Sequence, residues 1–209
     1  MATPRLGRRQ LTRRAIHNEE AAAFLSGLPA SPESCSQSDF TCASLTNTSS
    51  RRYENMLTWI FQGNPNLFHI DEYLSSRQHQ QIVWAIRQKH FIKDITIGDE
   101  VYIWRANGHN PGTGGIVAKG TITSAPEDML DDAPDLWMQP EVPLSMPRVR
   151  ISLDEVRLTE EQGMIARVEL LHDPNVNSML ILRFALLTNY KLDVKHAEYI
   201  GELWDKRRR

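Results

Sequence analysis

The chain contains 209 residues, of which 41% are apolar and 24% are charged. These proportions allow one folded domain of ordinary size with a substantial core. No stretch reaches the roughly 18 to 20 continuous apolar residues that a membrane span needs, which excludes a membrane-spanning protein and favours a soluble, cytoplasmic one.

Charge is distributed unevenly along the chain. Residues 1–52 hold seven basic and four acidic residues, whereas residues 53–209 hold seventeen basic and twenty-two acidic residues. A broad basic face is what sequence-independent binding to phosphates requires, and the acidic body does not supply one. Any contact with a nucleic acid is therefore predicted to be local.

The first 52 residues are predicted to form a disordered leader outside the folded domain. They are rich in Arg at the start and in Ser, Thr and Pro later, a composition typical of disorder. Three interpretations remain open: an organelle transit peptide, a disordered tail, or a gene start placed too early, with Met56 as the true beginning. Cys35 and Cys42 have no nearby histidine, so free thiols rather than a zinc site are predicted.

The folded domain is predicted to span residues 53–205. Its first element is a β-rich run at 55–62, which the turn signal GNPN ends. The spacing of apolar residues at 68–77 predicts a short amphipathic helix, and 82–86 predicts a brief strand.

Two further strands are predicted at 97–104 and 114–123. The loop GHNPGTGG, at 108–115, joins them, and it lacks the Lys-Ser/Thr pair that a phosphate-binding loop requires. Gly115 and Gly120 are predicted to let the second strand bend or bulge, as closing a barrel requires.

The second half of the domain is predicted to begin with an acidic, Pro-rich excursion at 124–143. Its acids at 130–135 lack the spacing of an oxygen cage, so a solvated loop is predicted there. A strand is predicted at 147–158 and a helical region at the end, with Asp193 as N-cap. One face of the last helix is predicted to comprise Val194, Ala197, Ile200, Gly201 and Trp204. About five short strands with a few helices predict an α+β fold built on a small mixed β-barrel.

Catalytic and metal-binding motifs are not found. The seven histidines form no HExxH or HxH pattern, and there is no P-loop, no GxGxxG after a strand and no GxSxG. Asp99 and Glu100 are the acids nearest to a predicted strand end, and a Gly-Asp pair entering a strand is typical of a turn. The chain is therefore predicted not to be an enzyme and to need no cofactor or metal.

Three tryptophans stand out because each lies on a different predicted strand. Trp59, Trp84 and Trp104 either fill the core or form walls of a slot for a planar ring. Polar residues near the strand ends, Gln62 and Arg105 among them, would suit the edge of a base.

Four motifs in a specific order carry a family resemblance. They are WIFQGNPNLFHIDEYL, VWAIRQ, IGDEVYIWRANG and GGIVAKGTI, and the segments at 172–180 and 188–204 continue the pattern. Together they resemble the EVE domain, a member of the PUA-like superfamily that is related to YTH domains, over about residues 58–203. The resemblance implies a small PUA-like mixed β-barrel with flanking helices that binds a modified base flipped out of its strand.

The resemblance also implies where the base would bind. Trp84 matches an aromatic wall of the base cage, and Trp59 shares the strand face of Phe61, so either could line the pocket. The two strand ends that border the pocket contribute Phe61, Gln62, Gly63 and Asn64 on one side, and Trp104, Arg105 and Ala106 on the other.

The predicted function is a non-catalytic module that recognises a modified, flipped base in DNA or RNA. Arg87 and Lys89 are predicted to contact phosphates, with Arg105 and the basic tail 206–209 as further candidates. An alternative is a regulatory or interaction module that binds a small ligand or a protein through the same barrel. An effector protein is a possible further partner and a membrane is not, while the identity of the base stays open.

Overall fold

The structure is a computed structural model that describes residues 56–139 and 145–208. The predictions for the leader at 1–52, including Cys35 and Cys42, and for Arg209 lie outside the described residues. None of the helices in these two ranges is long and apolar enough to cross a membrane.

The described residues form eight strands, four α-helices and two single-turn 3₁₀ helices. The strands are β1 Thr58–Gly63, β2 Gln81–Ala85, β3 Glu100–Arg105, β4 Gly115–Ile122, β5 Glu127–Leu130, β6 Ser145–Val156, β7 Ile165–Ala166 and β8 Asn189–Lys191. The α-helices are α1 Ile70–Ser75, α2 Arg167–His172, α3 Leu180–Arg183 and α4 Val194–Lys206, and the 3₁₀ turns are Lys89–Phe91 and Pro134–Leu136.

One mixed sheet curls around the core in the order β2-β6-β4-β3-β1-β8. β1 and β3 are parallel, with α1 and β2 in the connection between them, and the other neighbours are antiparallel. β5 extends the sheet beside β6, and β7 pairs with β4. This half-barrel with flanking helices confirms the α+β, PUA-like fold.

The two end strands of the sheet, β2 and β8, are joined by side chains. Asn189 is fully buried, its Nδ2 donates to the Ala85 carbonyl oxygen at 3.1 Å, and its Oδ1 accepts from the Arg87 N–H at 3.0 Å. The Asn189 N–H donates in turn to Gln88 Oε1 at 2.9 Å. The Asn189 amide thus satisfies backbone groups at the end of β2, the Gln88 amide satisfies one on β8, and together they link the two edges, which do not pair as strands.

The sheet has apolar residues on both faces, because β1 and β3 are covered on both sides. Side chains alternate along a strand, so Trp59 and Phe61 point into one core cluster and Ile60 into the other. On β3, Trp104 joins the cluster of Ile60, beneath the C-terminal helices. This double coverage explains why both strands appear in the sequence as unbroken apolar runs.

Two glycines of β4 allow close approaches between strands. The register against β6 shifts between Lys119 and Gly120, and a Cβ at Gly120 would lie 2.5 Å from the Ser152 carbonyl oxygen. Gly115 has φ +155°, and a Cβ there would lie 2.2 Å from the carbonyl oxygen of Ile165 in β7. At Gly120 the extra residue is Asp154 on β6, whereas β4 has its own extra residue at Val117, opposite β3, so the predicted irregularity of β4 lies between the two glycines.

The last helix begins as predicted, but its buried face is shorter. Asp193 Oδ1 accepts from the His196 N–H at 2.9 Å, which confirms the N-cap. Ile200 and Trp204 are fully buried, whereas Val194 is 72% exposed because the packing against the sheet begins only after the first turn.

Two segments are more ordered than the sequence indicated. The excursion at 124–143 contains β5 and the 3₁₀ turn Pro134–Leu136, and the region predicted to be helical contains β8. β8 pairs with β1, more than 120 residues earlier, and the apolar period of a three-residue strand cannot show such a distant partner.

Candidate functional site

A cavity of about 310 Å³ opens at the ends of β1 and β2. Its other walls come from α1, from the acidic segment after β5, and from residues 185–188 just before β8. The volume lies at the lower end of the range typical of small-ligand sites, about 300 to 1,000 Å³. The space therefore suits one small planar group rather than an extended ligand.

Four aromatic rings belong to the apolar lining. Phe68 and Trp137 have ring centroids 4.9 Å apart, Phe68 and Tyr73 are 5.1 Å apart, and Tyr73 and Trp84 are 6.5 Å apart. Trp84 is 8% exposed and belongs to the core cluster, yet it also lines the cavity. It is thus both a core residue and a cavity wall.

A glycine brings the end of β1 close to the Trp84 ring. A Cβ at Gly63 would lie 2.4 Å from Ile70 Cδ1 and 3.4 Å from Trp84 Cη2. A larger residue would push into α1 and narrow the cavity beside the indole. Gly63 and its neighbour Asn64 both line the cavity, where the sequence placed them.

Gln62 presents an unused hydrogen-bond acceptor in the wall. Its Nε2 donates to the Ala185 carbonyl oxygen at 3.2 Å, and its backbone N–H donates to the Thr188 carbonyl oxygen at 2.7 Å. The contact from Nε2 to the Ala185 carbonyl oxygen determines which end of the side-chain amide carries the nitrogen. The remaining atom, Oε1, is buried and has no hydrogen-bond partner among the described residues.

Two acids of the 124–143 segment hold the aromatic walls in place. Asp131 Oδ2 accepts from Trp137 Nε1 at 3.2 Å and from Arg148 Nη2 at 2.9 Å. Asp132 accepts from the Tyr73 hydroxyl at 2.8 Å and pairs with Arg77. The expectation of a solvated acidic loop is therefore corrected, because both carboxylates are bound by donors from the folded domain.

The Tyr73 hydroxyl stays protonated beside this acid. Burial raises the pKa of Tyr73 well above its ordinary value, and the charge of Asp132 raises it further. The hydroxyl can therefore donate to Asp132 while it accepts from the Val83 N–H at 3.0 Å. Within the described ranges, no group of three or more His, Cys, Asp and Glu could hold a metal ion.

Two basic residues follow β2 near the cavity. Arg87 lines the cavity and is exposed, and its guanidinium makes no ion pair within residues 56–139 or 145–208. Lys89 is exposed in the next 3₁₀ turn but does not line the cavity.

Several predicted site residues lie elsewhere. Trp59 and Phe61 are fully buried in the core, and Trp59 Nε1 donates to Asp99 at 2.8 Å. Trp104 is 1% exposed in the other core cluster, because its side chain leaves β3 on the opposite face. Neither Trp104 nor Ala106 lines the cavity.

Arg105 is held by protein partners on every side. Its Nη1 pairs with Asp71 at 2.7 Å, its Nε donates to the Thr113 carbonyl oxygen at 2.9 Å, and its Nη2 donates to the Leu158 carbonyl oxygen at 3.1 Å. The side chain is 9% exposed and outside the cavity lining. Its donors are used to join α1, the β3–β4 loop and the end of β6.

The acids considered for catalysis have structural roles. Asp99 is fully buried and accepts four hydrogen bonds, from the N–H groups of Leu57 and Thr96, from Trp59 Nε1 and from the Thr96 hydroxyl. Glu100 pairs with Lys119 at 2.7 Å. Asp99 thus closes the turn before β3, as the Gly-Asp pair indicated.

Much of the lining has no signal in the sequence. Phe68, Tyr73 and Trp137 were not singled out, and neither was the exposed Leu186 at the rim. One sequence feature indicates a cavity wall: Trp137 is an isolated aromatic residue in an otherwise acidic, Pro-rich segment.

Comparisons with known proteins agree with this architecture. The sequence model of the EVE domain matches residues 58–203. A hypothetical protein from Leishmania major is 16% identical with a TM-score of 0.55, and the match covers 75% of this chain and 99% of that one. A Pseudomonas putida protein is 14% identical with a TM-score of 0.51, covering 70% and 99%.

A third similar structure is human THYN1 protein, solved in complex with DNA that contains 5-methylcytosine. It is 15% identical with a TM-score of 0.50, and the match covers 71% of this chain and 98% of that one. A search among curated proteins finds no match. Identities this low show the fold alone, but the sequence match covers most of the folded domain, and the chain belongs to the EVE domain family.

Proposed function

We propose that this chain is a non-catalytic reader that binds one modified base, flipped out of a nucleic-acid strand, in the cavity beside Trp84. The observation that carries the proposal is a small cavity that four aromatic residues and Gln62 line together, where Gln62 Oε1 has no hydrogen-bond partner among the described residues. The human relative that was solved with 5-methylcytosine DNA supports the class of ligand.

The aromatic walls suit the faces of a base. Stacking on an aromatic side chain contributes about 1 to 3 kcal/mol per base and is tolerant of base identity. Trp84 and Trp137 both line the cavity, and Trp137 is held by its hydrogen bond to Asp131. Their rings are therefore already positioned, so little side-chain freedom would be lost on binding.

Gln62 suits the edge of a base. A buried acceptor without a partner costs about 1 to 3 kcal/mol, and a ligand N–H would remove that cost once a small movement of the Gln62 side chain exposes Oε1 to the cavity. Exocyclic amino groups, such as N4 of cytosine or N6 of adenine, supply such a donor, whereas the O4 edge of thymine does not. The amide thus favours a base with an amino group at this edge.

Phosphate contact is assigned to Arg87, with Lys89 further along the same surface. Among the described residues, the other cations that the sequence indicated have protein partners: Arg105 pairs with Asp71, Lys206 with Glu202, Arg207 with Glu169 and Arg208 with Asp205. We therefore leave Arg105 and the basic tail out of the proposed interface.

A panel of labelled oligonucleotides tests the proposal. One sequence would carry cytosine, 5-methylcytosine, 5-hydroxymethylcytosine or N6-methyladenine at its centre, as single strand and as duplex, and binding would be followed by fluorescence anisotropy. We expect at least one modified base to bind tenfold or more tightly than its unmodified parent. Equal binding of all members, or none at all, contradicts the proposal.

A further inference from the structure

Apolar side chains are exposed around the mouth of the cavity. Leu186 is 80% exposed and Phe184 is 47% exposed on one side, while Leu67 is 39% and Met138 is 48% exposed on the other. Leu186 and Leu67 both line the cavity. One exposed leucine is ordinary, but a set of large apolar residues on two sides of a cavity indicates a binding surface.

The loop that carries Leu186 is held rigidly. The Tyr190 hydroxyl donates to the Phe184 carbonyl oxygen at 2.9 Å and accepts from the Leu187 N–H at 3.0 Å. Gln62 fixes the same loop through its contact with the Ala185 carbonyl oxygen. Since both ends of the loop are bound, Leu186 is displayed to solvent by a fixed backbone.

The surroundings of this loop carry positive charge. Arg87 lines the cavity, and Arg183 is exposed immediately before the loop. Neither guanidinium makes an ion pair within the described parts of the chain. Leu186 is thus an exposed apolar side chain in a region where Arg87 and Arg183 carry positive charge without ion pairs among the described residues. A nucleic acid presents a base stack between two lines of phosphates, so it matches this combination better than an apolar protein surface does.

Flipping a base leaves a gap in the stack from which it came. Proteins that deform a duplex commonly insert an apolar side chain between base steps, which offsets part of the lost stacking. An exposed leucine at the mouth of the cavity that receives the base lies where such a gap would be.

We infer that Leu186 is an apolar wedge that enters the base stack of duplex DNA and fills the gap left by the flipped base. This inference rests on the proposed function, and it selects duplex DNA over a single strand as the ligand. DNA is chosen as the duplex to test because a similar structure, human THYN1 protein, was solved with DNA that contains 5-methylcytosine.

The test compares two leucines of similar exposure. Leu186→Ala removes the wedge, and Leu180→Ala removes the same atoms from a leucine that is 55% exposed in α3 and does not line the cavity. Each variant and the unaltered protein would be titrated by anisotropy against three forms of one 5-methylcytosine DNA. The forms are a matched duplex, a duplex with a mismatch opposite the target base, and the single strand.

For Leu186→Ala we expect about a tenfold loss of affinity for the matched duplex, a smaller loss for the mismatched duplex, and less than a twofold change for the single strand. Leu180→Ala should leave all three affinities within about twofold, because its side chain lies outside the proposed contact.

An equal loss on duplex and single strand, or no loss on the duplex, overturns the wedge while the preference for a modified base still supports the proposed function. Loss of self-association in Leu186→Ala, seen by sedimentation without any change in duplex binding, makes the surface a contact between protein chains and also overturns the wedge. If the unaltered protein shows no preference for any modified base in the panel, the proposed function fails and the wedge fails with it.

Discussion

Two strand ends of this molecule look alike in sequence and differ in structure. β1 ends with Phe61 and Gln62, and β3 ends with Trp104 and Arg105, so each brings an aromatic and a polar side chain to the edge of the sheet. At the end of β3, Arg105 has partners on three elements. At the end of β1, Gln62 keeps an unused buried acceptor beside a cavity.

The difference teaches that hydrogen-bond partners, rather than residue type, decide which polar side chain remains available: Arg105 has used its donors, whereas Gln62 Oε1 has no partner among the described residues. Arginine is the residue most expected to read a base, yet here its guanidinium stabilises the fold. Glutamine is the weaker candidate by type, yet its amide is positioned by one hydrogen bond and left free at the other atom.

The largest expected effect is on stability and concerns the end of β3, where the side chains are fully packed. Trp104→Ala should lower the free energy of unfolding by about 3 to 5 kcal/mol, because a fully buried indole is replaced by an internal void. Urea denaturation followed by circular dichroism measures it. The fraction that remains folded should bind modified oligonucleotides with unchanged affinity. A stable variant that has lost binding would show that Trp104 contacts the ligand instead of serving only the core.

A smaller effect, on binding, is expected at the cavity beside the end of β1. Trp84→Ala should lower affinity for a modified oligonucleotide by roughly ten- to a hundredfold, since a stacking partner worth about 1 to 3 kcal/mol is lost. Because one side of the ring already borders a cavity, the variant should lose less stability than Trp104→Ala does. Anisotropy and urea denaturation on the two variants provide the comparison.

The comparison requires that Trp104→Ala mainly loses stability and that Trp84→Ala mainly loses binding. If Trp84→Ala unfolds as readily as Trp104→Ala, and the folded remainder binds normally, then Trp84 serves only the core. Trp137→Ala adds a control for position, since Trp137 lines the same cavity from a segment outside the sheet.

The sequence predicted the barrel well where local pattern was sufficient. The apolar runs of β1 and β3 and the N-cap Asp193 each depend on near neighbours, and all were found. β8 was missed because its only ladder partner, β1, is more than 120 residues away.

For the site, the limit was the direction in which side chains point. Trp84 and Gln62 line the cavity as expected, whereas Trp104 leaves its strand on the other face. Asp131 appeared as part of a solvated acidic run because its partner, Arg148, comes from a different strand. Composition alone cannot show such a partner.

Gln62→Met should lower the affinity for the preferred base without lowering the stability of the protein. The thioether is close in shape to the amide. The substitution removes a buried acceptor without a partner and also the Nε2 donor to the Ala185 carbonyl oxygen, which is exposed and can bond water instead, so stability should stay within about 0.5 kcal/mol. Affinity for the preferred base should fall by about fivefold, as expected for one lost hydrogen bond of about 1 kcal/mol. Thermal melting and anisotropy measure the two. A destabilised variant with normal affinity would mean that Gln62 serves mainly to tie residues 185–188 to β1.

The smallest expected effect concerns the phosphate contact, because a local contact involves few charges. The logarithm of affinity should fall with the logarithm of salt concentration with a slope that reflects about two to four released ions. Arg87→Gln should lower affinity a few-fold at low salt, equally for modified and unmodified DNA, and reduce the slope by about one. Arg150→Gln is a matched control, since Arg150 is exposed on β6, pairs with Glu127 and does not line the cavity. Titrations at four salt concentrations give each slope. If Arg150→Gln changes the slope as much as Arg87→Gln does, the charge acts from the whole surface, and the open end of the barrel has no phosphate contact of its own.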